Sequence, residues 1–192
     1  MILLVRHGET AANRARLALG RADPPLTDLG RTQAAALAAG LAESGAARVL
    51  SSPLVRAQQT AGAIAAALGV PVEEDARLVE MDYGDWDGRS FSELPPEDLA
   101  RWRLDASFAP PGGESLLAVG TRVASFCEEV VAGAPVVAVS HVSPIKAAAL
   151  WAMGADPLLA WRMHLDVASI TRVGAPDGRA CLLGFNETAH LR

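Results

Sequence analysis

Short apolar runs and alanine-rich stretches follow one another along most of the chain. Positions 2–5 and 135–140 carry no charged residue and are mostly apolar, as in strands that are buried on both faces of a sheet. A further short strand is expected over 48–51, which begins with Arg48 and lies between two stretches of helical composition. Strands that alternate with helices are typical of a parallel sheet covered by helices, so the pattern predicts an α/β fold.

Capping residues and helix breakers set the expected bounds of these elements. Thr27 is a typical N-cap for a helix over 28–44. Ser52 and Pro53 begin a second helix, which ends at Gly69. Further helices are expected over 97–103, 114–131 and 144–153, extended segments over 72–74 and 78–80, and a closing pair of strands over 170–173 and 181–185.

Composition limits the classes of function. With 192 residues, of which 51% are hydrophobic and 20% charged, the chain is most simply one globular domain over 1–192. A net charge of −5 argues against a nucleic-acid partner, although a few local cations could still bind a small anion. Cys127 and Cys181 have neither metal-site nor disulfide-framework spacing, which favours a reducing compartment. The opening apolar run stops at Arg6, so we expect no signal peptide, no membrane partner and a cytoplasmic protein.

Two of the predicted strands end in a histidine. His7 follows the run at 2–5, beside Arg6, and His141 follows the run at 135–140. The carboxyl ends of parallel strands meet at one edge of a sheet, so we expect the two imidazoles to share a crevice. A neutral imidazole can attack phosphorus, and a guanidinium holds two phosphate oxygens at once. The pattern therefore favours a phosphoryl-transfer site over two strands that end in polar residues by chance.

Five ordered motifs extend this interpretation over nearly the whole chain. They are LVRHGET at 4–10, DPPLTDLGRTQA at 23–34, SSPLVRAQQTA at 51–61, LVE at 78–80 with GDWDG at 84–88, and VSH at 139–141. In this order they resemble the motifs of the histidine phosphatase superfamily, also called the phosphoglycerate-mutase-like family. The resemblance implies a three-layer α/β/α sandwich with a mostly parallel central sheet. It also implies a metal-independent phosphomonoesterase that needs no cofactor and forms a phosphohistidine intermediate.

The resemblance assigns the central roles residue by residue. His7 would be the nucleophile, and Glu80 would protonate the leaving alkoxide and then deprotonate the hydrolytic water. Arg6, Arg56 and His141 would surround the phosphoryl oxygens, over which the charge of the transition state spreads. Without the resemblance, Arg56 would be taken for an ordinary exposed arginine near the start of a helix.

The remaining assignments depend more heavily on how the family motifs align with this sequence. Asn13, Thr10 and the main-chain N–H of Val142 are implied as further phosphate contacts. The family commonly has glycines after the second histidine, whereas Val142 and Ser143 stand here, which narrows the pocket wall and affects the substrate range. Only the alignment with the family motifs selects Glu80 as the proton donor. The acidic alternatives nearby are Asp82, Asp85 and Asp87.

The segment between the acid and the second histidine separates branches of the family. Here it is short and lacks the long basic insertion of the mutases, and PPGGES at 110–115 resembles the phosphatase branch, including α-ribazole-phosphate phosphatases. We therefore expect a small-molecule phosphomonoester as substrate, with mutase-type transfer and a non-catalytic phospholigand-binding domain as alternatives. The oligomeric state, including a homodimer, stays open. Residues that suit either sugar phosphates or aromatic nucleosides are Arg101, Trp102, Arg103 and Phe108.

Overall fold

A six-stranded mixed sheet forms the centre of the computed structural model, which describes residues 1–192. The strands are β1 (Ile2–Arg6), β2 (Arg48–Ser51), β3 (Val72–Glu74), β4 (Val136–Ser140), β5 (Ile170–Gly174) and β6 (Cys181–Glu187). Their order across the sheet is β3-β2-β4-β1-β5-β6. The first four strands in this order are parallel, whereas β5 and β6 are each antiparallel to their neighbours. The prediction of a mostly parallel central sheet is confirmed.

Strands β1 and β4 are direct neighbours, and their register sets where the two histidines lie. Ile2 pairs with Val136 and Arg6 with Ser140, so both strands end at the same level of the sheet. The ladder continues one step further, because the main-chain N–H of His7 donates to the carbonyl of Ser140 at 3.1 Å. This pairing brings the residues that follow β1 and β4 to one edge.

Helices cover both faces of the sheet. They are α1 (Ala11–Arg14), α2 (Asp28–Leu41), α3 (Val55–Leu68), α4 (Pro96–Leu104), α5 (Leu116–Val130) and α6 (Val142–Met153). On one face, Leu3 and Val5 of β1 belong to a core cluster with side chains from α2 and α3, whereas Ile2 and Leu4 belong to a second cluster with α5 and α6. Because alternate residues of β1 point to opposite faces and both are buried, the fold has the three layers implied by the resemblance. None of the helices has the length and apolar character needed to cross a bilayer.

Several helix bounds differ from those expected. Helix α3 begins at Val55 rather than at Ser52, because the carboxylate of Asp23 accepts the N–H of Val55 at 2.8 and 3.0 Å and so caps the helix from a distant loop. Helix α5 begins at Leu116, since the side chain of Ser115 accepts the N–H of Ala118. Helix α2 ends three residues earlier than expected, and α6 begins two residues earlier.

The segment over 78–80, expected to be extended, is extended at Val79 but forms no strand, and Leu78 belongs to a 3₁₀ turn. The carboxylate of Asp75 accepts the N–H of Arg77 and begins a 3₁₀ turn at Ala76–Leu78. The carbonyl of Leu78 then accepts a hydrogen bond from the hydroxyl of Ser140 at 2.6 Å instead of pairing with a strand. A side-chain bond from β4 thus holds the segment that carries Glu80.

Candidate active site

His7 lies directly after β1 and is 2% exposed. Its Nδ1 is 2.7 Å from the carbonyl oxygen of Gly8. A carbonyl oxygen can only accept, so Nδ1 carries the proton and Nε2 keeps its lone pair. Burial, and then the positive charges of Arg6 and Arg56, hold the pKa of His7 well below its usual value. The imidazole is therefore neutral at pH 7, with a fixed tautomer and a nucleophilic Nε2.

The turn that follows His7 depends on glycine. A β-carbon on Gly8 would lie 2.4 Å from the carbonyl oxygen of Gly30 in the first turns of α2. A β-carbon on Gly30 would in turn lie 2.2 Å from the carbonyl oxygen of Glu9. The N–H of Gly8 donates to the hydroxyl of Thr60 on α3 at 3.1 Å. Close backbone contact with α2 and a hydrogen bond to α3 thus anchor the loop that positions the imidazole.

Two buried guanidinium groups accompany His7. Arg6 donates from Nη1 to the carbonyl of Leu165 at 2.6 Å. Arg56, whose side chain is wholly buried, donates from Nη1 to the carbonyl of Ala22 at 2.8 Å and from Nη2 to that of Gly20 at 2.9 Å. Burial lowers the pKa of both arginines, but from so high a starting value that they stay charged. The site therefore holds two fixed positive charges, and the view of Arg56 as an exposed surface residue is wrong.

His141 completes the cluster at the end of β4. Its ring centroid is 5.0 Å from that of His7, and its Nε2 is 2.8 Å from the hydroxyl oxygen of Ser52. Burial, and then the neighbouring His7 and arginines, hold the pKa of His141 well below its usual value. The two strand-end histidines thus lie side by side, as predicted, but only His7 lines the cleft, whereas His141 is fully buried.

Three buried nitrogen atoms in this cluster have no hydrogen-bond partner: Arg6 Nε, Arg56 Nε and His141 Nδ1. Buried polar atoms in folded proteins are nearly always paired, so these three keep hydrogen-bonding capacity that the protein itself does not use. With the two guanidinium charges beside His7, the cluster is suited to an anion such as a phosphoryl group, whose oxygens accept hydrogen bonds.

Glu80 lies beside this cluster and is 4% exposed. Its carboxylate accepts three main-chain N–H groups, from Met81 at 2.7 Å and from Val142 and Ser143 at 3.1 Å each. The last two belong to the first turn of α6, where unpaired N–H groups and the helix dipole favour a carboxylate. Among the acidic candidates named from the sequence, Glu80 alone lines the same cleft as His7 and Arg6.

Two of the groups expected to contact the phosphate have other hydrogen-bond partners in the structure. The hydroxyl of Thr10 is fully buried and caps α1, where it donates to Asn13 Oδ1 at 2.9 Å and accepts the N–H of Asn13 at 3.2 Å. The N–H of Val142 is bonded to Glu80, as described above, so it does not face the phosphate position in this structure. Asn13 in α1 bonds the hydroxyl of Thr10, and the carboxylate of Glu80 at the start of α6 bonds the N–H of Val142.

Asn13, by contrast, lies where the phosphate contact was expected. It lines the cleft with Arg6 and His7. Its Oδ1 accepts from both the N–H and the hydroxyl of Thr10, which turns the amide nitrogen away from that loop. Because the N–H of Thr10 can only donate, the orientation of the amide follows from the hydrogen bonds. Asn13 therefore offers an unpaired Nδ2 donor to the cleft.

The cleft has a volume of about 320 Å³ and continues from the cluster to an aromatic wall. Phe91 stacks on Trp102 of α4, with ring centroids 6.0 Å apart. Trp161 packs edge-on against Trp102, with ring centroids 4.1 Å apart. Arg103 lines the cleft as well, and it has no ion-pair or hydrogen-bond partner. The far half of the cleft is therefore aromatic with one free positive charge.

The sequence identifies this wall only in part. Of the four residues expected on the substrate side, Trp102 and Arg103 line the cleft, whereas Arg101 and Phe108 do not. The ring centroid of Phe108 is 6.0 Å from that of Trp86, and the guanidinium of Arg101 lies over the Phe108 ring. Trp161 was missed, because it stands in a 3₁₀ segment at Pro157–Arg162 that has no motif and no periodicity. A tryptophan in a loop would have been the only available signal.

Known proteins resemble this chain over nearly its whole length. The sequence profile described as "Histidine phosphatase superfamily (branch 1)" matches residues 2–188. A bifunctional protein of Mycobacterium tuberculosis is 40% identical in an alignment 198 positions long, which covers 99% of this chain but 54% of that protein. This chain thus spans about half the length of the mycobacterial relatives that it matches. Phosphoserine phosphatase 1 of Hydrogenobacter thermophilus is 36% identical in an alignment 197 positions long, which covers 99% of this chain and 93% of that protein.

Solved structures are similar over the whole fold. A mycobacterial glucosyl-3-phosphoglycerate phosphatase in complex with VO3 superposes with a TM-score of 0.90 and 31% identity, over 97% of this chain and 99% of that one. Phosphoserine phosphatase of Entamoeba histolytica in complex with 3-phosphoglyceric acid superposes with a TM-score of 0.92 and 28% identity, over 100% of this chain and 98% of that one.

Proposed function

Because the chain belongs to branch 1 of the histidine phosphatase superfamily, we propose that it hydrolyses small phosphomonoesters through a phosphohistidine on His7. One observation carries the proposal above the others. His7 presents a free Nε2, fixed by the bond from Nδ1 to Gly8, in the field of the buried guanidinium groups of Arg6 and Arg56. We further propose that residues 1–192 act as one catalytic domain.

In the first step, the phosphate group lies among Arg6, Arg56 and His141, with the amide of Asn13 as a further donor. Nε2 of His7 attacks phosphorus, the N–P bond forms, and the P–O bond to the alcohol breaks. The electron pair of that bond goes to the alkoxide, which takes a proton from Glu80. The ring becomes positively charged, and its Nδ1–H stays bonded to the carbonyl of Gly8.

In the second step, water hydrolyses the phosphohistidine. Glu80, now ionised, takes a proton from the attacking water, and the P–N bond breaks to release inorganic phosphate and neutral His7. The main-chain N–H groups that bond Glu80 hold its carboxylate in one place for both steps. No step requires a metal ion, since the arginines and His141 supply the positive charges and donors.

The far half of the cleft supports an alcohol that carries a flat, apolar ring. Phe91 and Trp161 are half-buried and line the cleft, so part of each ring is accessible to a ligand. A polyol would need acceptors as well as donors, and an amino-acid ester would need a carboxylate for its ammonium group. Glu80 is the only carboxylate in this cleft. We therefore propose a nucleoside-type substrate, a class that includes α-ribazole phosphate, over phosphoserine or a sugar phosphate.

Turnover with added chelator tests this function. The protein with excess EDTA is expected to release phosphate from p-nitrophenyl phosphate, and vanadate, a mimic of five-coordinate phosphorus, is expected to inhibit competitively. His7→Ala serves as the control for contaminating phosphatase. Activity that EDTA abolishes and Mg²⁺ or Zn²⁺ restores would contradict the metal-independent mechanism. Phosphate transferred to an added phosphoglycerate in place of water would show a mutase instead.

We also propose a cytoplasmic location and leave dimerisation to measurement. Both cysteines, Cys127 and Cys181, are free thiols, which fits a reducing compartment. Light scattering of the purified chain would give its mass directly. Twice the 20.0 kDa of the chain would indicate a homodimer.

A further inference from the structure

The guanidinium of Arg56 is held by main-chain groups of a loop, not by a carboxylate in direct contact. Both of its terminal nitrogens donate to carbonyl oxygens of that loop, Nη1 to Ala22 and Nη2 to Gly20. Asp23, the carboxylate that pairs with Arg56, is 3.6 Å from Nη1, longer than either of these bonds. The position of the Arg56 charge therefore depends on the position of this loop.

Asp87 holds the same two loop residues from the other side. Its Oδ1 accepts the N–H of Gly20 at 2.8 Å, and its Oδ2 accepts the N–H of Ala22 at 2.6 Å. One carboxylate thus binds the N–H groups of the two residues whose carbonyls bind Arg56. Charge-assisted bonds of this kind are shorter and stronger than bonds between neutral groups.

The surrounding backbone restricts the loop further. Ala18 accepts from the N–H of Gly88 and donates to the carbonyl of Arg89, each at 2.8 Å, so the loop and the Asp87 segment run side by side. Gly20 fits closely, since a β-carbon there would lie 2.8 Å from the carbonyl oxygen of Met81. Asp87 itself does not line the cleft. It can act on the site through the loop, and its negative charge also lies near Arg56.

We infer that Asp87 is a positioning residue, which sets the place of the Arg56 guanidinium through the main chain of Gly20 and Ala22. The inference rests on the proposed phosphatase function, because Arg56 is there assigned to the phosphoryl oxygens. It also gives a role to one of the acidic residues that competed with Glu80 for the place of the proton donor. Asp87 acts on phosphate binding, whereas Glu80 acts on the leaving group.

Substitution of Asp87 by asparagine tests the inference. The amide keeps one acceptor and loses the second along with the charge, so Arg56 is expected to lose its fixed place. We expect kcat/KM to fall about 10- to 100-fold, the range for a lost bond to a charged group, and by the same factor on p-nitrophenyl phosphate and on an alkyl phosphate. Asp85→Asn is the matched control: this exposed carboxylate two residues earlier makes no side-chain hydrogen bond, and its variant should behave as wild type.

A double-mutant cycle separates positioning from general damage to the fold. In an Arg56→Ala background, Asp87→Asn should cost less than about twofold, because the guanidinium that Asp87 positions has been removed. Equal losses in both backgrounds would overturn the inference, as would a loss confined to the alkyl substrate. Asp87→Glu, which keeps the charge and one N–H contact, should recover part of the activity, and its failure to exceed Asp87→Asn would count against the role.

Direct binding of inorganic phosphate separates this inference from the proposed catalysis. Calorimetry on the whole chain should show a weaker affinity for Asp87→Asn than for wild type, by about the factor seen in kcat/KM. That result would support the positioning role even if no turnover were found. Unchanged phosphate affinity in a folded Asp87→Asn protein, with the thermal midpoint as the check on folding, would reject it.

Discussion

The two halves of the cleft are built in different ways. The phosphate end, defined as Arg6, His7, Arg56, Glu80 and His141, gathers at the ends of β1 and β4 and the starts of α3 and α6. The alcohol end, defined as Phe91, Trp102, Arg103 and Trp161, comes from α4 and two short 3₁₀ segments. Strand register determines the first, and aromatic packing determines the second.

The difference is also one of hydrogen bonding. Each side chain of the phosphate end bonds a main-chain carbonyl, a main-chain N–H or a buried hydroxyl, so its geometry exists before any ligand arrives. At the alcohol end the indole nitrogens of Trp102 and Trp161 are buried without a partner, and rings pack face or edge against rings. Changes at the phosphate end should therefore alter the chemistry, and changes at the alcohol end should alter which alcohol is accepted.

Glu80→Gln should give the sharpest contrast between the two ends. An alkyl alkoxide leaves poorly without a proton, so phosphorylation by an alkyl phosphate should slow about 10²- to 10⁴-fold, the range for general acid catalysis. p-Nitrophenolate leaves readily, so that step should change little on p-nitrophenyl phosphate. Water attack should slow on both, and rapid mixing should reveal a burst of p-nitrophenol.

The control for this experiment is Asp82→Asn. Asp82 lies outside the cleft, where it accepts the N–H of Gly84 and is 3.7 Å from Arg21. It should show neither the burst nor the dependence on the leaving group. A burst in Asp82→Asn or Asp87→Asn, and none in Glu80→Gln, would mean that Glu80 is not the proton donor.

Trp161→Ala should have a smaller effect, on specificity alone. Loss of a ring face should raise KM for a nucleoside phosphate about 10-fold, in line with the free energy of burying an aromatic surface. A short alkyl phosphate, which does not reach the wall, should keep its kcat/KM. Steady-state kinetics on the two substrates test this, and an equal loss on both would show that Trp161 supports the fold and not the choice of alcohol.

The acid dependence of stability tests the two buried histidines without a substrate. His7 and His141 have pKa values lowered by burial, so below pH 6.5 the unfolded chain binds protons that the folded chain refuses. The free energy of unfolding should therefore fall as the pH drops from about 6.5 to 5, by up to about 1.4 kcal/mol per pH unit for each histidine. His7→Gln should reduce this slope by about one histidine in urea titrations. A slope identical to that of wild type would mean that His7 is protonated in the folded protein.

The sequence could predict the phosphate end because its signals are local. The apolar runs before His7 and His141 identify buried strands, and parallel strands must end at one edge of the sheet. Arg56 and Glu80 came from the family resemblance, since neither has a local signal that sets it apart from nearby charged residues. The structure adds that both are buried.

Contacts between distant segments could not be predicted in the same way. The cap of α3 by Asp23, the bond from Val142 to Glu80 and the hold of Asp87 on the loop all join residues more than thirty positions apart. Thr10 misled for the opposite reason, because its hydroxyl finds a partner only three residues away. Trp161 has no periodic pattern around it, and only its packing on Trp102 places it in the cleft.

The central claim is that His7 carries the phosphoryl group during turnover, and one measurement tests it most directly. A substrate labelled in its phosphate is mixed with the protein, the reaction is quenched without acid, and the labelled peptide is identified. We predict a label on His7 that is stable to alkali and lost in acid, absent in His7→Ala, together with a fall in turnover of more than about 10⁴-fold in that variant. A label on another residue, or near-normal turnover by His7→Ala, would contradict the account.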